Sequence, residues 1–414
     1  MQAHVDCTPL AAPTLVPSSD VSGAVLPPSE EGSDPESGQD SSALDDDQDS
    51  EPDCMAAFVQ SYTKAGLSAE AAALAGEARR PATRKTYNVR IRKYRGWCRD
   101  NQVSPYTAPL GAVADFLTWV FKQGASCRSV RACRTAVAAI HHGFAGGMSV
   151  SRFPVLNDLV KAIFNKRPPS SSLVPSWDLP RALRILAEPP FEPMDQCSMM
   201  DLSRKTAFLV AAASGRRVSD IGALSVAENH LTVRSDGVHL LPRAGYLAKN
   251  QTQSFTPKHI VLPDHRKAAG SPDDGPWCPV RALKFYLRRT ASYRGKVDHL
   301  FITAQKPFKP ASRQTISRWI VSIIKDSLDS ELGQLEGSHV RAHDLRSQTA
   351  SGALYKGASL KEIMEAQGWS TSTTFQTVYL RDALVPRATT AAKVLSSASS
   401  SAPSIKTRHS EGRQ

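Results

Sequence analysis

Residues 1–54 contain no lysine and no arginine. They hold 13 acidic residues, so the stretch carries −13 in a chain whose total is +12. Residues 55–414 are therefore left with +25. So basic a body points to a polyanionic partner, nucleic acid first. No apolar run approaches the roughly 18 residues of a membrane helix, and the N-terminus lacks the basic start and apolar core of a signal peptide. Both absences point to an intracellular protein without a membrane partner. The seven cysteines (Cys7, Cys54, Cys98, Cys127, Cys133, Cys197 and Cys278) include no CxxC pair and are odd in number. That speaks against a disulfide framework and a zinc knuckle, and for a reducing compartment. The carboxylates are too scattered for an obvious metal cage. The reading therefore expects no metal, no cofactor and no small-molecule substrate.

What is present divides the chain. Residues 1–55 are rich in Ser, Pro, Asp and Glu, too polar to offset the entropy of ordering, and read as a disordered acidic leader. Residues 56–80 are alanine-rich and read as a helix or linker. Residues 81–167 read as four short helices, a small bundle. At 83–100, Tyr87, Ile91, Tyr94 and Trp97/Cys98 fall near helical spacing. The segment 109–124 is punctuated by Pro109 and Gly124. The third helix spans 125–147, with Ser126 as N-cap and Gly146–Gly147 as stop. The fourth spans 154–169. Basic residues crowd the first and third helices, and Arg84, Lys85, Arg92, Arg128, Arg131 and Arg134 are read as a DNA-facing set. Trp97 and Trp119 are read as core, and His141–His142 as outside any site.

Residues 168–178 form a proline- and serine-rich linker. A second domain follows over 179–395. It opens with a buried helix at 202–215, then two or three antiparallel strands within 230–263. Helices return at 279–290, 312–328, 344–356 and 359–367. Residues 396–414 read as a disordered basic tail, which with "NKRPP" at 165–169 is compatible with nuclear entry. The fold class is mainly α with a small antiparallel sheet.

The chemistry concentrates in the second domain. In "RAHDLRSQTA" (341–350), His343 and Arg346 lie three apart and share a helix face. "SGRRVSDIGALS" (214–225) places Arg216 and Arg217 after a glycine. Lys249 stands at a strand-to-turn junction, with Lys258 as the alternative lysine. Trp369 and Tyr379 follow in "EAQGWSTSTTFQTVYLRD". Two arginines can grip a tetrahedral phosphate through paired N–H bonds. A histidine and an indole N–H can donate to its remaining oxygens, a lysine can protonate a leaving oxygen, and a phenol can attack phosphorus. The arginines supply the charge that a metal otherwise would. Arg216 is expected at the surface, with Asp220 and Asp344 bracing neighbouring arginines. Tyr355, the rival nucleophile, is expected to pack.

These boxes resemble the tyrosine recombinases, the phage-integrase family. Gly215-Arg216-Arg217-Val218-Ser219-Asp220 is similar to the family's Gly-x-Arg-[Ile/Val]-Ser-[Glu/Asp], and His343-Asp344-Leu345-Arg346 to its His-x-x-Arg. Gly368-Trp369 and Tyr379 follow in order; Lys249 stands where the family has a hairpin lysine, with one flanking glycine missing. The resemblance covers about residues 81–390, and its wording is most similar to eukaryotic mobile-element recombinases. It implies a helical core-binding (SAM-like) bundle and an α/β catalytic domain clamped around double-stranded DNA. It implies Tyr379 as nucleophile forming a 3′-phosphotyrosine, with Arg217, Lys249, His343, Arg346 and Trp369 as the catalytic set. It also implies a homo-tetramer on paired sites, cutting and rejoining DNA without ATP. A DNA-binding protein whose catalysis has lapsed and a nicking-closing topoisomerase of the same chemistry stand as alternatives.

Overall fold

The computed structural model describes residues 66–169, 177–264, 275–329 and 340–380, with Ala56, Val59, Tyr62 and Thr63 before them. The acidic leader, most of the linker, the segment 381–395 and the basic tail lie outside the described residues. The described residues form two compact units that divide between Ser172 and Leu173.

The first unit is helical. α1 (Ala69–Gly76) starts at Ser68, whose hydroxyl accepts from the Ala71 amide. α2 (Pro81–Asp100) opens with a proline, whose missing N–H costs nothing at a helix start. α3 (Leu110–Lys122), α4 (Cys127–Ala138) and α5 (Pro154–Lys166) follow. Each presents one apolar stripe at helical spacing: Ile91, Tyr94 and Cys98 from α2; Val113, Phe116, Leu117 and Val120 from α3; Val130, Cys133 and Val137 from α4; Leu156, Val160 and Ile163 from α5. Trp97 and Trp119 pack against this core from its rim. Ser126 caps α4 as expected, accepting from the Ser129 amide at 3.2 Å.

α4 stops at Ala138, short of the double glycine read as its end. The reason is His141. Its ring is buried, with Nε2 2.8 Å from the Ala108 carbonyl and Nδ1 accepting from the Gly143 amide at 3.0 Å. That geometry requires a neutral imidazole with its proton on Nε2, and it bends the chain back onto the loop before α3. Burial holds the His141 pKa below its ordinary value, against the pull of the Ala108 carbonyl. A histidine depressed in the folded state stabilises fully above its unfolded pKa of about 6.5 and loses that contribution as pH falls through the folded value. Melting of the chain between about pH 7.5 and 5 is therefore expected to show an acid-side loss of stability that His141→Gln flattens. An unchanged pH profile in that variant contradicts the assignment.

The second unit is built around α7 (Met199–Ser214), with α6 (Leu179–Ile185) before it. α7 is buried on nearly every side, through Leu202, Ala207, Phe208, Leu209 and Val210, as its apolar composition requires. It packs against α9 (Pro279–Arg294) and α10 (Arg313–Asp329). Between α7 and α9 lie the short α8 (Val218–Gly222) and three strands, β1 (Leu231–Val233), β2 (Gly237–Leu240) and β3 (Ile260–Pro263). The strands pair antiparallel in the order β1-β2-β3, with Thr232 opposite His239 and His239 opposite Val261. α11 (Ala342–Tyr355), α12 (Leu360–Gln367) and α13 (Ser372–Thr374) close the unit, ending in a π-helical turn over Phe375–Tyr379. The mainly helical fold with one small antiparallel sheet is thus as the sequence predicts.

One charge sits deep in this core. Lys205 of α7 is fully buried. Its ammonium donates to the Leu186 carbonyl at 2.8 Å and to Glu192. Arg281 grips the same carboxylate through both Nη atoms, at 2.6 and 3.2 Å. Burial alone would raise the Glu192 pKa; the bonds from Arg281 and Lys205 outweigh it and hold the carboxyl below its usual range. Removing the charge of Glu192 leaves a lysine without its counter-ion in the core, a loss of about 3–5 kcal/mol. Glu192→Gln is expected to lower the denaturation midpoint accordingly. Adding Lys205→Met is expected to restore much of the loss, because the uncompensated charge goes with it.

Candidate active site

The site forms where two helices end. α7 terminates at Gly215, which takes a left-handed φ of +56° and donates its amide to the Ala211 carbonyl. α12 terminates at Gly368, also left-handed at φ +68°. A side chain at Gly215 would run into that of Gln367, and one at Gly368 into the guanidinium of Arg216. Both the conformation and the close approach therefore demand glycine. The two caps abut, so the residues that follow each of them, Arg216–Arg217 and Trp369, are delivered to one place.

Arg217 is buried, and its Nη1 donates to Asn250 Oδ1 at 3.2 Å. Asn250 Nδ2 in turn donates to the Gly368 carbonyl at 2.5 Å. Arg346, on the face of α11 turned toward α12, is 2% exposed. Its Nη2 donates to the Gln367 carbonyl at 3.1 Å. Its Cζ lies 4.6 Å from the centre of the Trp369 ring and 5.1 Å from that of Tyr379. Tyr379 is fully buried, 4.8 Å from Trp369 and 5.2 Å from His343, ring centre to ring centre. Phe375 backs the indole at 5.4 Å, and the Ser351 hydroxyl donates to the Tyr379 carbonyl at 3.0 Å. The buried indole N–H of Trp369 has no acceptor among the described residues, a donor left open toward whatever fills the site.

The structure thus brings Arg346, His343, Trp369 and Tyr379 into direct contact and ties Arg217 to them through Asn250. Lys249 is exposed, in the turn beside Asn250. That turn belongs to the long connection 241–259 between β2 and β3 and not to a strand junction, because the pairing of these strands stops at Leu240 and Ile260. Lys258, the alternative lysine, pairs with Glu365 at 3.0 Å and uses its carbonyl to accept from Arg216.

The expected place of Arg216 needs correction. Arg216 is not at the surface; it is 6% exposed, with Nη2 on the Lys258 carbonyl at 2.8 Å. The left-handed cap turns its side chain inward over Gly368. Burial lowers its pKa, with the Asp220 charge opposing. Asp344 caps α11, accepting from the Arg341 amide at 3.0 Å, and so braces a helix start. Asp220 accepts from the Tyr246 hydroxyl at 2.7 Å; burial first, and then this carboxylate, push the Tyr246 phenol up. Tyr355 is half-buried at the end of α11.

Asn250, Gln367 and Arg216 are the members that sequence reasoning missed. A signal existed for two of them, since Asn250 adjoins Lys249 and Gln367 immediately precedes the glycine box. In the first unit, Arg128 and Arg131 are exposed one turn apart on α4, and Arg134 is half-buried with Nη1 on Asn157 Oδ1 at 2.5 Å. Lys85 and Arg92 are exposed two turns apart on α2, with Arg84 half-buried. Among the described residues no group of three or more His, Cys, Asp or Glu side chains is placed to hold a metal ion. None of the described helices is long and apolar enough to cross a membrane.

The Arg346 guanidinium, the Trp369 indole and the His343 imidazole surround a buried phenol, with the Arg217 guanidinium linked in through Asn250. Guanidinium and indole N–H groups are the donors that hold a phosphate-sized anion, and the phenol must leave its buried place to meet one. No curated protein matches the chain. Among solved structures, the Tn1549 transposon integrase in complex with transposon right end DNA is similar at 14% identity and TM-score 0.50, over 82% of this chain and 99% of that one. The lambda integrase bound to DNA is similar at 17% identity and TM-score 0.48, over 80% of this chain and 95% of that one. The XerH site-specific recombinase bound to palindromic difH substrate, a post-cleavage complex, is similar at 15% identity and TM-score 0.47, over 70% and 74%. At 14% identity the Tn1549 likeness is one of fold. The phage integrase family matches residues 191–384, a segment that contains every member of the site just described.

Proposed function

We propose that this chain cuts and rejoins double-stranded DNA through a phosphotyrosine, as a site-specific recombinase. The observation that carries the reading is the convergence of Arg346, Trp369, His343 and Tyr379 on one spot, with Arg217 tied in by Asn250. In this mechanism the Tyr379 oxygen bonds to the scissile phosphorus and the bond from phosphorus to the 5′ oxygen breaks. The phenol proton passes to His343, and the leaving 5′ oxygen takes a proton from Lys249. Arg217, Arg346 and the Trp369 N–H hold the charge that builds on the phosphoryl oxygens. Because the phosphodiester energy is kept in the phosphotyrosine, rejoining needs no ATP. Because the guanidiniums supply the charge, cleavage is expected to survive a chelator.

The basic helices α2 and α4 would hold the duplex backbone, a contact that weakens steeply with salt. A homo-tetramer on paired sites and a mobile-element source belong to the same proposal and rest on the resemblance of the motifs; nuclear action belongs to it too and rests on the basic stretch at 165–169 and the basic tail. The test is trapping on a nicked suicide duplex, from which the cut segment diffuses away. A covalent adduct mapped to Tyr379 is expected. A second reading, a DNA-binding protein without cleavage, is favoured by the complete burial of Tyr379, since attack requires the Phe375–Tyr379 turn to swing its phenol outward. Duplex binding with no adduct on any tyrosine would decide for that reading.

A further inference from the structure

A groove of about 490 Å³ lies between α4 and α5 of the first unit. Arg131, Arg134, Asn157, Val160, Lys161 and Phe164 line it, and no carboxylate does. Arg134 is held there by its bonds to Asn157 Oδ1 and the Leu156 carbonyl. Burial first, and then the neighbouring charge of Arg131, pull the Arg134 pKa down. An anion in the groove would relieve both. Phe164 is 44% exposed, so an apolar surface stands beside the cations. A bare phosphate chain satisfies only half of such a groove. An acidic peptide with one apolar side chain satisfies all of it.

The chain carries that peptide. Residues 30–53 hold eleven of the leader's acidic residues and no basic one, and the only large apolar side chain among them is Leu44, followed directly by Asp45, Asp46 and Asp47. Eleven residues, 45–55, separate Leu44 from Ala56. Fully extended they reach roughly 40 Å, more than the diameter of a small domain. A tether of this length holds the two at an effective concentration of about a millimolar.

We propose that the leader occupies the α4–α5 groove in the DNA-free chain, with Leu44 against Phe164 and Val160, and with Asp45–Asp47 facing Arg131, Arg134 and Lys161. The leader then competes with duplex DNA for the basic face. This competition rests on the DNA-binding reading above; the docking itself does not.

The test uses the full chain with a photo-crosslinking p-benzoylphenylalanine at position 164. Irradiation without DNA at about 50 mM salt, where screening is weak, is expected to join position 164 to a peptide within residues 36–53. The yield is expected to be independent of dilution. It should fall several-fold at about 500 mM salt and in the combined variant Asp45→Asn, Asp46→Asn, Asp47→Asn. Absence of that crosslink, its persistence in the triple variant, or a yield that falls on dilution as for a second copy overturns the proposal. Added duplex is expected to suppress the crosslink, and the triple variant to bind duplex about tenfold tighter at low salt. A crosslink that duplex does not reduce, from a chain that binds duplex, overturns the competition. A chain that crosslinks as expected and never binds duplex instead overturns the DNA-binding reading and leaves the docking standing.

Discussion

Tyr379→Phe is expected to leave no covalent adduct on a suicide duplex while duplex affinity stays within about twofold. The substitution removes one oxygen and keeps the ring. What holds the ring is visible: Trp369 at 4.8 Å, the Arg346 guanidinium at 5.1 Å and His343 at 5.2 Å. All three contacts survive in phenylalanine, and the backbone carbonyl that accepts from Ser351 is untouched. The packing of the ring is therefore preserved, and the oxygen proposed as nucleophile is lost. The comparison that gives the result its force is Tyr355→Phe, at the far end of α11, which is expected to form the adduct normally. An adduct that persists in Tyr379→Phe and vanishes in Tyr355→Phe reverses the assignment. Cleavage that disappears with EDTA and returns with magnesium removes the guanidinium-only account of the charge.

The parts of this molecule that were legible in the sequence are those where local chemistry decides. Ile91, Tyr94 and Cys98 mark the buried stripe of α2 because helical spacing puts them on one side. Ser126 and Pro109 mark helix starts because an N-cap acceptor or a missing N–H is useful there and nowhere else in a helix. Arg217, His343, Arg346, Trp369 and Tyr379 were readable as a set because their order and spacing form a pattern.

What was not legible depends on contacts between distant segments. The end of α4 is set by His141 reaching the Ala108 carbonyl, 33 positions away, and no property of residues 139–147 announces it. Arg216 looked like a surface residue because its neighbours are polar. Its burial follows from the meeting of two glycine caps, Gly215 and Gly368, from helices far apart in the chain. The same meeting explains Asn250, whose side chain matters only because Arg217 lies on one side and the Gly368 carbonyl on the other. The lysine is the converse case. Its residue type was right for proton donation, but the loop 241–259 that carries it is far longer than the hairpin turn the strand pattern suggested.

Arg346→Ala is expected to lower cleavage by roughly 100- to 1000-fold, the scale of losing one preorganised donor to the transition state. The guanidinium performs two tasks that a smaller cation cannot share. One edge is fixed to the Gln367 carbonyl at 3.1 Å, and the plane lies over the Trp369 ring with Cζ 4.6 Å from its centre. Those contacts set the direction in which its other edge points, so the group is aimed before substrate arrives. Lysine keeps the charge but has neither the fork nor the flat face, so Arg346→Lys is expected to recover less than a tenth of the lost rate. The loss should appear in single-turnover cleavage, with duplex binding changed by less than about threefold, because one phosphate contact is a small part of the affinity of a protein that neutralises many phosphates. Arg217→Ala is expected to behave alike, and Asn250→Ala to show a weaker form of the same defect through the misplacement of Arg217. Equal losses in binding and in cleavage for Arg346→Ala would mean that the residue holds the fold or the duplex and not the reacting phosphate.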